Sequence, residues 1–456
     1  MASGEKCVML RFIVKGMDVN ETIVAISTAP GRGGIGVVRL SGREAVRIAN
    51  SFVRLRGELE AGRARFGEVV DETGGRLDEC VVTYFAGPRS YTGGDVVEVA
   101  GHGSPVVLGW MVERCLAAGA RLARPGEFTE RAFLSGRMDL TQAEAVRDLI
   151  EASTLHQVRV AAEQMGGGLA KRVRPVKARL LELVAELEAG IDFAEDDVDV
   201  MASPQILSKL WEVRGELEAL AESFAYGRLV REGFVMAIVG APNAGKSSLF
   251  NRFVERERAI VTAEAGTTRD LVTERISVGG IPVEVVDTAG LRVGAGVGEA
   301  EKLGMAKSRE AMAEADVVLL VRDATVEQTD EFEVDARTIV VLNKVDLIGG
   351  TGGEGVRVSA LTGAGIEELR GEILKKLHAE GRGAENGMLT NLRQRGAVEM
   401  ALAGVEAAEV AVKEGVPHEM VLLDVYAGLR GLDALTGETT ADDVLGLIFS
   451  TFCIGK

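Results

Sequence analysis

The sequence predicts a multidomain α/β protein in which a doubly wound, mostly parallel sheet is inserted into a helical domain. From Phe234 to about Leu377, strand-like apolar segments alternate with helical ones, as in a parallel sheet covered by helices. Helical patterns precede this stretch from Leu140 and resume after the glycine-rich residues 381–387. The length of 456 residues allows two or three such domains.

An α+β domain is predicted ahead of the helices. Residues 22–133 alternate short β-rich segments with glycine and proline turns, and they contain one helical stretch near 104–118. The GHG at 101–103 is interpreted as a tight turn. Met1 and Met17 both remain candidates for the true start. The predicted domains are 17–134 (α+β), 135–230 and 381–456 (the two parts of the helical domain) and 231–380 (inserted α/β domain).

The helical part has amphipathic segments. Residues 176–191 and 205–224 place apolar residues at i, i+3 and i+4, as bundle helices do. Thr141 and Glu144 have the spacing of a capping box, which predicts a helix start there. The three glycines after Met165 predict a helix break.

Composition excludes several classes of protein. Charged residues make up 27% and hydrophobic residues 46%, and the net charge is −17, which argues against holding nucleic acid by a bare basic surface. The four cysteines are scattered without a CxxC, which predicts a reducing cytoplasmic location. The longest apolar runs are far shorter than the roughly 20 residues of a membrane helix, and the N-terminal residues do not form a signal peptide.

A phosphate-binding loop is the strongest motif. Residues 240–247 read GAPNAGKS, which matches GxxxxGK[ST] between a predicted strand and a predicted helix. Its glycines allow backbone N–H groups to surround phosphate oxygens, and the helix N-terminus adds positive potential. In this pattern Lys246 reaches the β- and γ-phosphates, and Ser247 binds Mg²⁺.

Companion motifs follow in the order of a Ras-like P-loop GTPase domain. Thr268 lies in the GTTRD loop, where it can bind Mg²⁺ and sense the γ-phosphate, and Asp287 ends a strand near the metal. Asn343, Lys344 and Asp346 form NKVD after another strand. A carboxylate at Asp346 can accept the N1–H and N2–H of guanine, whereas adenine would leave it unpaired. The motifs therefore predict GTP binding.

The residue that follows DTAG raises a question about hydrolysis. Ras-like proteins have a glutamine there that orients the attacking water, but this chain has Leu291. The loop IVTAEAGTTRD (260–270), which precedes DTAG in the chain, is long enough to fold over the nucleotide. Its carbonyl groups and the side-chain oxygen of Asn243 form a candidate all-oxygen site for a monovalent cation. That cation would neutralise negative charge developing near the oxygen that bridges the β- and γ-phosphates. Glu299 and Glu301 lie at a predicted helix start, where one could orient water or simply favour the helix dipole.

Taken together, the motifs resemble the MnmE (TrmE) family of tRNA-modification GTPases along nearly the whole chain from about residue 20. The resemblance rests on these segments: GRGGIGVVRLSG (31–42), SYTGGDVVEVAGHGSPVV (90–107), residues 123–152, GAPNAGKSSLFN, AGTTRD, DTAGLR and the terminal CIGK (453–456).

The resemblance implies a homodimer joined through its N-terminal, folate-binding-like domains, with GTPase activity that depends on K⁺. Asn243, Thr262, Glu264 and Thr267 match the K⁺ site, and Glu301 matches the water-orienting residue, with Glu299 as the alternative. Catalytic roles fall on Lys246, Thr268, Glu301 and Cys453. Nucleotide and metal contacts are assigned to Asn243, Ala244, Gly245, Lys246, Ser247, Ser248, Thr262, Ala263, Glu264, Ala265, Gly266, Thr267, Thr268, Asp287, Thr288, Ala289, Gly290, Asn343, Lys344, Asp346, Ser359, Ala360 and Leu361.

The family also implies a folate-dependent reaction. With the FAD-containing partner MnmG, in a heterotetramer, its members add an aminomethyl or carboxymethylaminomethyl group to C5 of the wobble uridine of tRNA. The one-carbon donor is 5,10-methylenetetrahydrofolate or 5-formyltetrahydrofolate, and Arg39, Glu98, Arg137 and Lys456 match its site. Cys453 is either functional there or structural.

The GTPase motifs alone also fit a regulatory GTPase of ribosome assembly, of the Era or Der kind. A second GTPase domain or a KH-like RNA module would favour that alternative, and neither is recognisable in the sequence. The region at 90–107 and the terminal CIGK favour tRNA modification.

Overall fold

The protein is described by a computed structural model that covers residues 21–192, 201–257, 272–287, 311–326, 334–348, 353–377, 387–438, 445 and 448–455. The chain divides into two compact units. The first comprises Met1–Arg147 with Asp433–Lys456, and the second comprises Asp148–Leu432. The bounds of the four segments drawn from the sequence stay a prediction.

The first unit contains a seven-stranded sheet in the order β3-β4-β5-β6-β2-β1-β7. Only the β1–β7 pair is parallel among its described pairs. Alternating apolar residues, as in ARFGEVV, turn one face of each strand towards the core. The strands are β1 (Ile23–Ile26), β2 (Gly33–Ser41), β3 (Val53–Leu55), β4 (Ala64–Val70), β5 (Arg76–Phe85), β6 (Val96–Gly103) and β7 (Arg121–Leu122).

Among the described residues, the helices that accompany this sheet are α1 (Ala45–Ala49), α2 (Pro105–Ala117), α3 (Glu127–Leu134) and α4 (Leu140–Glu151). The expected helix near 104–118 is therefore confirmed as α2, whose Leu108, Met111 and Cys115 are buried. The C-terminal residues return to this unit, where Phe449 and Phe452 pack with Leu140 of α4.

The second unit contains a six-stranded sheet in the order β13-β12-β11-β8-β10-β9. All neighbours are parallel except β9 and β10, which form an antiparallel hairpin. The strands are β8 (Phe234–Val239), β9 (Val272–Val278), β10 (Ile281–Asp287), β11 (Val317–Asp323), β12 (Thr338–Asn343) and β13 (Val356–Arg357). Central strands such as β8 and β11 are almost continuously apolar because both faces of a parallel sheet are covered.

The described part of the second unit includes the helices α5 (Leu155–Met165), α6 (Gly168–Asp192), α7 (Ser203–Glu232), α8 (Lys246–Glu257), α9 (Ile366–Lys376), α10 (Leu392–Lys413) and α11 (His418–Thr436). The predicted amphipathic segments lie within α6 and α7, and the predicted break lies between α5 and α6. Val230 of α7 and Val160 of α5 share one core with the sheet. No described helix is long and apolar enough to cross a membrane.

Two local predictions were wrong. The start of α4 is capped by Asp139, whose Oδ1 accepts from Gln142 N at 2.9 Å while Gln142 Oε1 accepts from Asp139 N, also at 2.9 Å. This reciprocal pair forms two residues before the predicted box at Thr141 and Glu144 because Asp is an equally good N-cap. The GHG motif is the end of β6, and its His102 hydrogen-bonds Asp78 of the neighbouring strand.

Candidate functional sites

The phosphate-binding loop joins β8 to α8 at the carboxyl edge of the parallel sheet, where ligands of such sheets bind. Gly240 has φ +145°, and a Cβ there would collide with the Val321 carbonyl oxygen. Gly245 has φ +91°, and a Cβ there would collide with Nδ2 of Asn343. Both glycines are therefore required by backbone conformation and by close approach.

The charge that faces this loop comes from Lys246. Its Nζ donates to the Gly240 and Ala241 carbonyl oxygens, both at 2.9 Å. Ser247 and Ser248 are exposed in the first turn of α8, where helix N–H groups lack intrahelical acceptors. An ammonium group, hydroxyls and backbone N–H groups at one helix N-terminus fit a phosphate chain.

Asn343 connects three motifs. It ends β12, is 2% exposed, and donates from Nδ2 to the Ala244 carbonyl oxygen at 3.0 Å. Its Oδ1 accepts from Ala360 N, also at 3.0 Å. The asparagine therefore fixes the distance between the phosphate-binding loop and the Ser359–Leu361 loop.

Two partners of these motifs were not identified from the sequence. Asp323 at the end of β11 pairs with Lys344 at 2.6 Å. Burial raises the pKa of Asp323, but hydrogen bonds from Lys344 and Thr325 outweigh this effect and lower it. Arg252 of α8 donates to the Ala360 carbonyl oxygen at 2.8 Å and also to that of Leu361. The sequence offered one indication of each residue: Asp323 ends a predicted strand, and Arg252 lies in the helix that follows the phosphate-binding loop.

The residues predicted to contact the base lie beside this network. Asp346 and Leu361 are exposed, the latter by 77%, and Ser359 is fully buried with its Oγ accepting from Thr362 N at 3.1 Å. The structure thus brings together the described residues of the phosphate-binding loop, NKVD and the Ser359–Leu361 loop.

Several predicted site residues lie outside the described residues: Thr262, Ala263, Glu264, Ala265, Gly266, Thr267, Thr268, Thr288, Ala289, Gly290, Leu291, Glu299, Glu301 and Lys456. For Asp287 only the backbone is described, and it ends β10 next to Ile238 of β8. Their site roles stay predictions.

A second group of predicted site residues lies in the first unit. Arg39 of β2 is directly opposite Glu98 of β6, and its Nε donates to Glu98 Oε1 at 2.8 Å. The Arg39 guanidinium carbon also lies 5.7 Å from the Tyr91 ring centre and 5.6 Å from that of Phe128. The arginine is therefore held on its charged edge and contacts two aromatic rings.

The C-terminal tail reaches the same arginine. The Gly455 carbonyl oxygen accepts from Ser27 Oγ at 3.0 Å and from Arg39 Nη1 at 3.4 Å. Cys453 is exposed and in no disulfide among the described residues, and its carbonyl oxygen accepts from Gly126 N at 3.4 Å. Arg137 is exposed, and its Cγ lies 3.7 Å from the place of a Cβ on Gly93. Among the described residues predicted for the folate site, Arg39 and Glu98 are thus in contact with each other.

Helix α3, which carries Phe128, is anchored by a buried ionic cluster. Glu127 is fully buried and pairs with Arg121 at 2.8 Å and with Arg131 at 3.1 Å. Burial alone would raise the pKa of Glu127, but hydrogen bonds from Arg121 and the Arg124 N–H lower it to about 2. Burial raises the pKa of neighbouring Glu130 to about 7, against the opposing charge of Arg124.

Comparison with known proteins covers both units. Residues 22–137 match the family described as GTP-binding protein TrmE N-terminus, and residues 140–453 match the MnmE helical domain. The tRNA modification GTPase MnmE of Koribacter versatilis is 56% identical over 456 residues, covering 96% of this chain and 100% of that protein. The protein of the same name from Aquifex aeolicus is 43% identical over 451 residues, covering 96% and 100%.

Part of the chain is similar to a solved GTPase structure. A variant of Aquifex aeolicus Era is 27% identical, with 38% of this chain and 66% of that chain covered, at a TM-score of 0.24. At that score the likeness does not bear on function.

Proposed function

Because the chain belongs to the MnmE (TrmE) family, we propose that it is a GTP hydrolase that takes part in the modification of tRNA. The observation that carries this proposal is the Asn343 link between the phosphate-binding loop and the Ser359–Leu361 loop. It supports a preorganised guanine nucleotide site in a chain whose similarity to tRNA modification GTPases extends over 96% of its length.

Guanine selectivity would come from Asp346. Its carboxylate is exposed at the end of NKVD, beside the link that Asn343 makes. A carboxylate accepts two N–H groups from guanine, and the same group facing adenine N1 would lose its hydrogen bonds on desolvation.

The chain's own residues would act on the phosphates by position and charge. Lys246 exchanges its two carbonyl acceptors for phosphate oxygens, and the N–H groups at the start of α8 donate to the same phosphates. Ser247 and Thr268 would hold Mg²⁺, and Asn243, Thr262, Glu264 and Thr267 would hold K⁺. These cations supply positive charge where negative charge develops.

Hydrolysis without a glutamine after DTAG requires another group to orient the attacking water. We assign this role to Glu301, with Glu299 as the alternative. Leu291 has no hydrogen-bonding side chain, so it cannot orient water.

The one-carbon donor would bind in the first unit. Arg137 and Lys456 suit the carboxylates of a tetrahydrofolate tail, and Glu98 suits the donor edge of its pterin ring. Arg39 contacts Glu98, so it would donate to an acceptor atom of the same ring. Its attached one-carbon group, carried by 5,10-methylenetetrahydrofolate or 5-formyltetrahydrofolate, would supply the carbon added at C5 of the wobble uridine. We propose that the chain works in the cytoplasm as a homodimer, in a heterotetramer with FAD-containing MnmG.

We favour this proposal over a ribosome-assembly GTPase of the Era or Der kind because the similarity includes the parts outside the GTPase motifs. Residues 22–137 match the TrmE N-terminus, which a GTPase unit alone would not explain. The pair of Arg39 and Glu98 lies in this part of the chain.

The test is GTP turnover by the purified full-length chain in K⁺ and in Na⁺ at matched ionic strength. We expect stimulation by K⁺ that Asn243→Ala and Glu301→Ala both abolish, with Glu354→Ala, an exposed glutamate of the same unit, as the control. Equal turnover in the two salts would refute the K⁺ site. Loss in Glu299→Ala together with full activity in Glu301→Ala would transfer the water-orienting role to Glu299.

A further inference from the structure

Arg39 is held from several directions. Glu98 binds its charged edge at 2.8 Å, Gly455 contributes a carbonyl oxygen, and the Tyr91 and Phe128 rings lie within 5.7 Å of its guanidinium carbon. The side chain retains 22% of its exposure, so it remains reachable by a ligand. A long arginine side chain loses considerable rotamer entropy when it binds a ligand, and prior restraint reduces that loss.

Tyr91, one of the two rings that contact Arg39, is itself held by hydrogen bonds to its hydroxyl and at the next residue. Its hydroxyl shares a hydrogen bond of 2.9 Å with Thr129 Oγ1 of α3. The next residue, Thr92, hydrogen-bonds Ser41 at the end of β2 at 2.7 Å. The Tyr91 ring is therefore tied both to the helix that carries Phe128 and to the strand that carries Arg39.

We propose that Tyr91 is a positioning residue for Arg39, and that through Arg39 it sets the affinity for tetrahydrofolate at the Arg39–Glu98 pair. The inference rests on the folate site proposed above and adds a residue to it. Tyr91 acts by presenting its ring face to the cation, which fixes the direction of the guanidinium N–H groups. The Thr129 hydrogen bond holds the ring in place but does not itself touch Arg39.

Phe128 cannot be tested in the same way. It is fully buried and packs with Ile23, Ala25 and Ala123 in a core cluster, so its truncation would leave a cavity. Tyr91 is only partly buried and packs against the outside of that cluster, where a leucine in its place keeps an apolar side chain. The experiment therefore uses Tyr91.

The experiment measures binding of 5-formyltetrahydrofolate to the full-length chain by isothermal titration calorimetry. Tyr91→Leu removes the ring face, and we expect affinity to fall about tenfold, as for a partly desolvated cation–π contact. Tyr91→Phe keeps the ring and should restore affinity to within about threefold of the wild type. Tyr84→Leu, which changes a tyrosine that hydrogen-bonds Asp95, is the matched control.

A second measurement does not depend on folate. The rate at which phenylglyoxal modifies Arg39, followed by mass spectrometry, reports how firmly the guanidinium is held. We expect Tyr91→Leu to raise this rate severalfold and Tyr91→Phe to leave it unchanged, with equal thermal midpoints showing that the variants are folded. Unchanged Arg39 reactivity in Tyr91→Leu overturns the inference.

The two measurements separate the possible failures. If the wild type binds no folate, the folate proposal fails, while the modification rate still decides whether Tyr91 positions Arg39. If the wild type binds folate and Tyr91→Leu binds it equally well, the role of Tyr91 in affinity is refuted and the folate proposal stands.

Discussion

Replacing Asn343 by alanine should weaken nucleotide binding although the phosphate-binding loop itself is unchanged. The side chain is 2% exposed and makes two hydrogen bonds of 3.0 Å, to the Ala244 carbonyl oxygen and from Ala360 N. Each such bond contributes about 1 kcal/mol net, and a buried partner left unpaired costs about 1–3 kcal/mol. The substitution should therefore cost at least about 2 kcal/mol of the free energy of nucleotide binding, which corresponds to an affinity about 30-fold weaker.

The assay is titration of the full-length chain with a fluorescent GDP analogue. Asn391→Ala is the matched control, because Asn391 is also buried and its Oδ1 accepts from Gln394 N at 2.9 Å to cap α10. That change should cost stability of about 1 kcal/mol without altering nucleotide affinity. If Asn343→Ala binds within threefold of the wild type while folded, the link does not preorganise the site and the reasoning is refuted.

Three further predictions concern the scaffold. Gly240→Ala should abolish binding of the same GDP analogue, because its Cβ would collide with the Val321 carbonyl oxygen at φ +145°. Burial raises the pKa of Glu130 to about 7 from its ordinary 4.5, so the contribution of Glu130 to stability should be fully present below pH 4.5 and decrease as pH rises through 7. Urea midpoints at pH 5, 6 and 8 should show this decrease in the wild type and not in Glu130→Gln. Gly404→Ala should cost about 1–3 kcal/mol of unfolding free energy in urea titrations, because its Cβ would meet the Gly428 backbone; an unchanged urea midpoint would contradict the close helix crossing.

The second unit was largely predictable because its motifs are local. A glycine-rich loop between a strand and a helix, and NKVD after a strand, each define a position at the carboxyl edge of a parallel sheet. Their meeting follows from parallel pairing, in which β12 lies beside β11 and β11 beside β8. The Lys344–Asp323 pair depends on the register that sets Asp323 opposite Asn343, and register is not written in either motif.

The first unit was less predictable because its contacts are nonlocal. Arg39 and Glu98 are 59 residues apart, and only the antiparallel register of β2 and β6 places them opposite each other. GHG was predicted as a turn because glycines are typical of turns. In the structure Gly103 belongs to a strand, and Gly33 approaches it too closely to leave room for a Cβ. The family resemblance identified Arg39 and Glu98, whereas the contact of Tyr91 with Arg39 is evident only in the structure.

Strained backbone conformations occur at the carboxyl edge of the parallel sheet, where the phosphate-binding loop and NKVD lie. Among the described residues, the non-glycine residues with positive φ are Asn243, at +63°, and Lys344, at +67°. A non-glycine residue in this conformation costs about 1–3 kcal/mol and persists where the surrounding structure enforces it. At Lys344 the enforcing contact is Asp323, and Asn343 is held on both sides by Ala244 and Ala360. Glycine at 344 would relieve the strain but would also remove the ammonium that pairs with Asp323, leaving a partly buried carboxylate without that partner. Retention of lysine in a strained conformation is therefore explained by the electrostatics of the site and by the need to hold the chain that leads to Asp346.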